Sequence, residues 1–241
     1  MQSLATKKSA SIEKQPANNW GCEFCGRKFA RESTVYNHLC EQKRRWLDRD
    51  RPSNRIGYTG WLQFYNKHSS QRKERTYEDF IKSTYYIAFV KWGNYCVDVG
   101  VLNPPRYLDW LLHNKIKIDA WHLDSNYNRY LCEYLREEDA YDAVARSVKT
   151  TNEIASDTGI ADRDVLRWGN PGKICHNISK GKISPWILYH SKSGVEFLNR
   201  LDPTQVKMIF DYINPELWAI VFKRRSSDVA EIKTLLDQGG Y

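Results

Sequence analysis

Long hydrophobic runs are missing from this 241-residue chain. No apolar stretch approaches the ~20 residues that a membrane-spanning helix needs. The first residues, MQSLATKKSASIEKQPANN, have no apolar centre of the kind that a secretory signal contains. With 41% hydrophobic and 13% aromatic residues, the chain is nevertheless too apolar to be wholly disordered. These features predict a globular cytoplasmic protein with no membrane partner.

The signatures of common enzyme classes are also absent. The chain has no glycine-rich loop that would cradle phosphate and no nucleophile elbow. Acidic residues that could hold Mg²⁺, as in a metal-dependent nuclease, occur together at Glu137, Glu138, Asp139 and Asp142. Four acids early in a helix more often favour the helix dipole and solvent. We therefore favour a non-enzymatic protein and keep a nuclease as the alternative.

Cysteine is scarce, but half of it is clustered. Three of the six cysteines, Cys22, Cys25 and Cys40, fall within 19 residues. In a reducing compartment such clustering indicates metal binding rather than disulfides. Cys22, Cys25 and His38 have the spacing C-x2-C-x12-H. Two cysteines in a tight turn chelate one ion, and a following helix brings the histidine to the same Zn²⁺.

The segment CEFCGRKFARESTVYNHLC resembles the CCHH zinc-finger family. It matches the pattern C-x2-C-x3-F-x5-L-x2-H through Phe29, with Val35 in place of Leu. The resemblance covers residues 20–45. It implies a small ββα unit that depends on zinc, because so few residues cannot form a sufficient apolar core.

The fourth ligand departs from the pattern of that family. A second His or Cys normally follows the first His after three to five residues, whereas Cys40 follows His38 after one. Residues i and i+2 of a helix point to nearly opposite sides. Either the helix ends at His38 and the chain turns to bring in Cys40, or Glu41 or water completes the site. We favour Cys40, because thiolate is the better zinc ligand.

Positive charge is confined to the first third of the chain. Residues 1–75 carry 16 Lys and Arg against 7 acids, and residues 76–241 carry 21 against 22. An anionic partner is therefore expected for the first third, and nucleic acid fits best. If the docking of zinc fingers carries over, Arg31, Thr34 and Asn37 face the bases. The other predicted contacts are Arg27, Lys28 and, along the phosphates, Lys43, Arg44, Arg45, Arg49, Arg51 and Arg55.

Composition divides the chain into four segments. Residues 1–18 are polar and predict a disordered arm, and residues 19–50 form the zinc finger. Residues 51–75 are interpreted as a basic linker around one short helix at about 60–68. The remainder, 76–241, is predicted to be a helical domain.

The helical prediction depends on repeated helix-start signals. A capping side chain precedes a proline at Asn103, Ser184, Asp202 and Asn214. Short strands remain possible near Tyr95–Val101, where apolar residues alternate. The predicted fold class is mostly α, with a small ββα-like zinc finger followed by an all-α or mainly-α domain.

One stretch of the body fits a helix-turn-helix template. Within residues 151–168, Gly159 would lie at the turn and Ile160, Val165 and Trp168 would point inward. Its second helix carries Asp162, which would repel phosphate. We therefore favour purely structural helix packing over DNA reading here.

A zinc module ahead of a Trp- and Tyr-rich helical body is similar to uncharacterised proteins of large tailed bacteriophages. A phage origin would place the protein in the host cytoplasm. The leading hypothesis is a non-enzymatic, zinc-dependent nucleic-acid-binding protein, with DNA favoured over RNA and a helical body that contacts protein. The alternatives are a nuclease targeted by the finger and a regulatory factor whose finger docks on protein.

Overall fold

The protein is mostly α-helical, with one two-stranded sheet near its N-terminus. It is described by a computed structural model that covers residues 20–68 and 74–241. The predicted fold class is confirmed, since a ββα unit precedes a helical body. The disordered arm predicted for residues 1–18 lies outside the described residues. No helix in the described part of the chain combines the length and apolarity needed to cross a membrane.

The elements follow one another with short connections. Strands β1 (Trp20–Gly21) and β2 (Lys28–Phe29) come first, and two short 3-10 turns lie at Ile118–Ala120 and Asp162–Asp164. The α-helices are α1 (Glu32–Asn37), α2 (Glu41–Leu47), α3 (Pro52–His68), α4 (Tyr77–Lys82), α5 (Tyr86–Val99), α6 (Pro104–His113), α7 (Asp124–Glu137), α8 (Ala140–Thr158), α9 (Val165–Trp168), α10 (Pro171–Ser179), α11 (Pro185–His190), α12 (Lys192–Asn199), α13 (Pro203–Ile213), α14 (Pro215–Arg224) and α15 (Ser226–Gln238).

The predicted helix starts are confirmed. Asn103, Ser184, Asp202 and Asn214 each accept a backbone N–H with the side chain at the N-cap, and a proline follows each of them. This arrangement satisfies a donor that the first turn would otherwise leave unpaired, and it places proline where no N–H is needed. Asn170 caps α10 in the same way, although it was not among the predicted starts.

Helices α3 and α5 cross at very short range. A Cβ atom on Gly93 would lie 2.1 Å from the carbonyl oxygen of Ser53, and one on Gly57 would lie 2.8 Å from that of Phe89. Only glycine allows two helix backbones to approach this closely. Trp61, with 2% of its surface exposed, is buried beside the crossing.

The interpretation of residues 51–75 as a linker with a helix at about 60–68 is corrected by this crossing. The helix begins at Pro52 and packs along α5. Proline at a helix start and glycine at a helix contact do not interrupt the helix, although both residues usually indicate loops. The segment around Trp61 is therefore a core element of the body.

One further expectation for the body is wrong, and another holds only in part. Tyr95–Val101 contributes no strand, because α5 continues to Val99 and ends at Gly100, whose φ of 70° stops the helix. In the stretch that fits a helix-turn-helix template, α8 ends at Gly159 with a φ of 73° and Val165 is fully buried, as predicted, but α9 has only four residues. Trp168 is 70% exposed rather than inward-facing. Its helix is too short to lie in a groove of DNA.

Glu138 is the centre of a buried polar network. Only 3% of this residue is exposed, and its carboxylate accepts two hydrogen bonds from Arg146, at 2.6 and 2.8 Å. The Ser184 hydroxyl donates a third at 3.3 Å, and Arg225 donates to the Glu138 carbonyl oxygen at 2.7 Å. The network joins the α7–α8 turn to the starts of α11 and α15. A buried charge is stable only when it is paired in this way.

His190 lies in an apolar setting at the end of α11. Its ring centroid is 4.3 Å from that of Phe222 and 5.8 Å from that of Trp186. Its Nε2 atom has no hydrogen-bond partner within the described residues. Burial lowers the pKa of His190 from its ordinary value of 6.5 to about 4. The positive charge of Lys233 also lowers it.

We expect acid to destabilise the protein through His190. The folded state needs the neutral ring, so the stabilisation is complete above about pH 6.5 and is lost as the pH falls toward 4. Urea unfolding at a series of pH values measures this loss. His190→Gln should flatten the dependence between pH 6.5 and 4, whereas the same substitution at exposed His113 should not. Parallel curves for the two variants would contradict the assignment.

The close α3–α5 crossing predicts that one added methyl group at Gly93 strongly lowers the stability of the fold. Gly93→Ala forces a Cβ into the Ser53 carbonyl oxygen, so the free energy of unfolding should fall by about 1–3 kcal/mol or more. Gly21→Ala is the matched control, because no heavy atom lies within 4 Å of its added Cβ. Denaturant unfolding monitored by circular dichroism measures both variants. Equal stability of the two would rule out the close crossing.

Candidate metal centre

The two N-terminal cysteines lie on a knuckle that follows β1. Trp20 pairs with Phe29 and Gly21 with Lys28 in the antiparallel sheet. The Cys22 N–H donates to the Arg27 carbonyl oxygen at 2.9 Å, and the Gly26 N–H donates to that of Cys22 at 2.8 Å. Gly26 has a φ of 71°, which L-residues with side chains rarely adopt. The turn therefore holds Cys22 and Cys25 close together.

The connection between α1 and α2 brings His38 and Cys40 to the same place. Helix α1 ends at Asn37, and His38 is extended, with φ −70° and ψ 116°. Cys40 is also extended, with φ −74° and ψ 168°, and its Sγ accepts the Lys43 N–H at 3.4 Å as the cap of α2. In extended backbone, residues i and i+2 point to the same side. His38 and Cys40 can therefore face the same point, although they are only two residues apart.

The four side chains converge on one point. The Sγ atoms of Cys22, Cys25 and Cys40 and a ring nitrogen of His38 all lie within 4.8 Å of one another. Cys22 Sγ is 3.9 Å from Cys40 Sγ, and Cys25 Sγ is 3.3 Å from His38 Nε2. Tetrahedral zinc with Zn–S of about 2.3 Å and Zn–N of about 2.0 Å has edges of ~3.8 and ~3.5 Å. The group therefore has the donors and the spacing that suit a zinc ion.

The cysteines of the cluster are free thiols. The 3.9 Å between Cys22 and Cys40 is far longer than a disulfide bond of about 2.05 Å. Burial opposes ionisation of Cys22, but N–H groups of Cys25 and Phe24 stabilise its thiolate and lower its pKa overall. Burial and the neighbouring cysteines raise the pKa of Cys40. A bound cation would favour the thiolate forms, because a thiol that coordinates a metal ion loses its proton.

Cys40 joins the cluster, and Glu41 does not. The Glu41 carboxylate forms an ion pair with Arg45, one turn later on α2. The Phe29 ring lies against the ring of His38, with centroids 4.7 Å apart, and shields one side of the site. Among the described residues, the four-residue group is the only set of three or more His, Cys, Asp or Glu side chains close enough to hold one ion.

The predicted nucleic-acid contacts divide into two groups. Arg27, Lys28, Arg31, Thr34, Asn37 and Arg44 are exposed, and no ion pair engages their side chains within the described residues. Arg27 alone among them lies over a ring, that of Phe29 at 5.4 Å. Tyr36 also projects from this unit, with 81% of its surface exposed, and it was not among the predicted contacts.

The remaining basic residues have partners within the protein. Lys43 donates to the Tyr36 carbonyl oxygen at 3.0 Å. Arg51 pairs with Asp48 at 2.9 Å, and Arg55 with Asp50 at 3.3 Å. The other two pack on rings: the Arg45 guanidinium on Tyr86 and that of Arg49 on Trp46. Arg45 is therefore a packing residue, whereas Arg49, Arg51 and Arg55 remain exposed and pair with neighbouring acids, which the spacing of the basic residues did not indicate.

The acids proposed for Mg²⁺ do not converge on a metal site. Glu138 is engaged by Arg146, and Glu137 pairs with Arg106 at 2.5 Å. Asp139 caps α8 by accepting the N–H groups of Tyr141 and Asp142. Glu137, Glu138 and Asp139 therefore serve ion pairing and helix capping, which gives these three acids a structural explanation.

Comparison with known proteins gives no match. No family model fits the chain, and no curated protein sequence and no solved structure is similar to it. The proposed function therefore depends on the geometry of the site itself.

The fourth ligand is tested by two neighbouring substitutions. Cys40→Ser should lower zinc affinity by more than the about 10–100-fold that loss of an outer partner costs. Glu41→Ala should leave the affinity nearly unchanged, because Glu41 lies outside the cluster. Competition with a chromophoric chelator measures both, and cobalt spectra report the number of thiolates. A larger loss in Glu41→Ala would reverse the assignment.

Proposed function

We propose that this protein is a zinc-dependent nucleic-acid-binding protein without catalytic activity. Zn²⁺ would be held by Cys22, Cys25, His38 and Cys40 and would supply the stability that a unit of this size lacks. The observation that carries the proposal is the exposed basic and polar surface directly beside the metal cluster. A phosphate backbone is the partner that such a surface suits best.

The exposed side chains of the finger fall into two proposed roles, contact with bases and contact with phosphates. Arg31, Thr34 and Asn37 belong to α1 and its cap, and Arg and Asn match guanine and adenine edges in the major groove. This match favours DNA over RNA, whose major groove is too narrow for side chains. Arg27, Lys28 and Arg44 would contact phosphates, with Lys43 available if it leaves the Tyr36 carbonyl oxygen.

Arg45, Arg49, Arg51 and Arg55 have a smaller part in this proposal than their spacing suggests. Each has a partner in the protein, and leaving that partner would cost part of any gain from phosphate. One finger reads only about 3 base pairs, so the expected binding is weakly sequence-specific. The helical body would interact with protein partners.

Binding should be measured on the full chain rather than on residues 1–75. Helix α3 packs along α5, and a fragment ending at 75 would expose that helix's buried face. Anisotropy of a labelled DNA duplex, in the presence of zinc and over a salt series, gives both affinity and slope. The affinity should fall steeply with salt, by a slope of about −0.9 for each phosphate that the protein neutralises.

A triple variant tests the proposed surface. Arg27→Ala, Lys28→Ala and Arg44→Ala together should reduce the magnitude of the salt slope by up to about 2.7, because each neutralised phosphate accounts for about 0.9. The charge-matched control replaces Lys207, Lys223 and Arg224 of the body, which are exposed. No binding by the zinc-loaded protein at low salt, or an equal reduction in both variants, would overturn the proposal.

A further inference from the structure

Helix α2 belongs to the metal cluster and to the helical body at once. Its cap is Cys40, whose thiol is in the cluster and accepts the Lys43 N–H. Its last turn carries Arg45 and Trp46, which reach α4 and α5 of the body. Seven residues span only about 10 Å, so one short helix separates the cluster from α4.

Trp46 bridges the knuckle and the body. Its ring centroid lies 6.2 Å from that of Phe24, which stands between the two knuckle cysteines in sequence. On the other side it lies 5.8 Å from that of Tyr77 at the start of α4, in an edge-on arrangement. The Tyr77 hydroxyl donates to the Arg45 carbonyl oxygen at 3.3 Å. Aromatic pairs of this kind add to the gain from burial alone.

Arg45 extends the same bridge into the core. Its guanidinium donates to the Ile81 carbonyl oxygen at 2.6 Å and lies 4.3 Å from the centroid of the Tyr86 ring. Only 16% of the side chain is exposed. Ile81 and the adjacent Phe80 are fully buried in the body. A cation–π contact and a charged hydrogen bond at a largely dry site are both stronger than at an open surface.

We propose that metal binding at the cysteine cluster controls the stability of α4 through α2, so that the finger and α4 open together. This inference rests on the proposed zinc site. Release of the ion frees Cys40, loosens the start of α2 and withdraws Arg45 and Trp46 from α4. In the zinc-bound state, by contrast, α2 holds the finger against the body, and the proposed nucleic-acid surface of the finger keeps one orientation.

The size of the effect follows from linkage. If α4 opens only after zinc leaves, free zinc at about 100 times its dissociation constant suppresses that opening about 100-fold. Amide hydrogen exchange reads such local opening for each residue. Phe80 and Ile81 report on α4, and Ile209 on α13 serves as a distant reference because it is equally buried.

The experiment compares full-length protein with added Zn²⁺ and with a chelator. In the wild type, exchange of the Phe80 and Ile81 amides should accelerate by up to about 100-fold on zinc removal, with Ile209 unaffected. Trp46→Ala should abolish this difference, and Arg45→Ala should reduce it. Leu47→Ala, at a residue of the same helix that is 60% exposed, should behave as the wild type.

Zinc affinity is measured on each variant by chelator competition, which separates the two proposals. A protein that does not bind zinc refutes the metal site itself. A protein that binds zinc but shows unchanged α4 exchange on its removal refutes the coupling and leaves the metal site standing. Retained coupling in Trp46→Ala would also refute the assigned route.

Discussion

The short extended connection at His38 and Cys40 is the constraint on which the N-terminal unit depends. Because α1 ends at Asn37 and the chain becomes extended, the side-chain period changes from 3.6 to 2, and His38 and Cys40 face one point. The same connection starts α2, because the Cys40 thiol caps it. The arrangement of the four clustered side chains and the direction of the next helix are therefore set by the same few backbone angles.

Charge in the first third of the chain has two structural uses. Arg45 and Arg49 cover aromatic rings and, with Arg51 and Arg55, engage groups within the protein. The basic side chains nearer the metal cluster are exposed. The net charge of the segment does not distinguish these two groups, because guanidinium groups pack on rings as readily as they bind anions. The proposed interface is accordingly smaller than the charged segment.

Local rules predicted the helical body well and its packing poorly. A capping side chain before proline acts within one turn, so Asn103, Asp202 and the other starts were visible in the sequence. Gly57 and Gly93 have meaning only where two distant helices meet. Their close approach made α3 a core element, whereas the composition around it indicated a linker. Trp168 was similarly misplaced, since nothing local determines which side of a one-turn helix faces the core.

The sequence by itself determined Cys22, Cys25 and His38 as members of the cluster, the helix starts and the mostly α fold class, because each depends on spacing or on neighbours within a turn. Only the tertiary structure decided that Cys40 rather than Glu41 joins the cluster, that α3 lies in the core, and that Trp46 and Arg45 join the finger to α4. These outcomes depend on interactions between residues far apart in the chain, and such interactions leave no periodic signal in a single sequence.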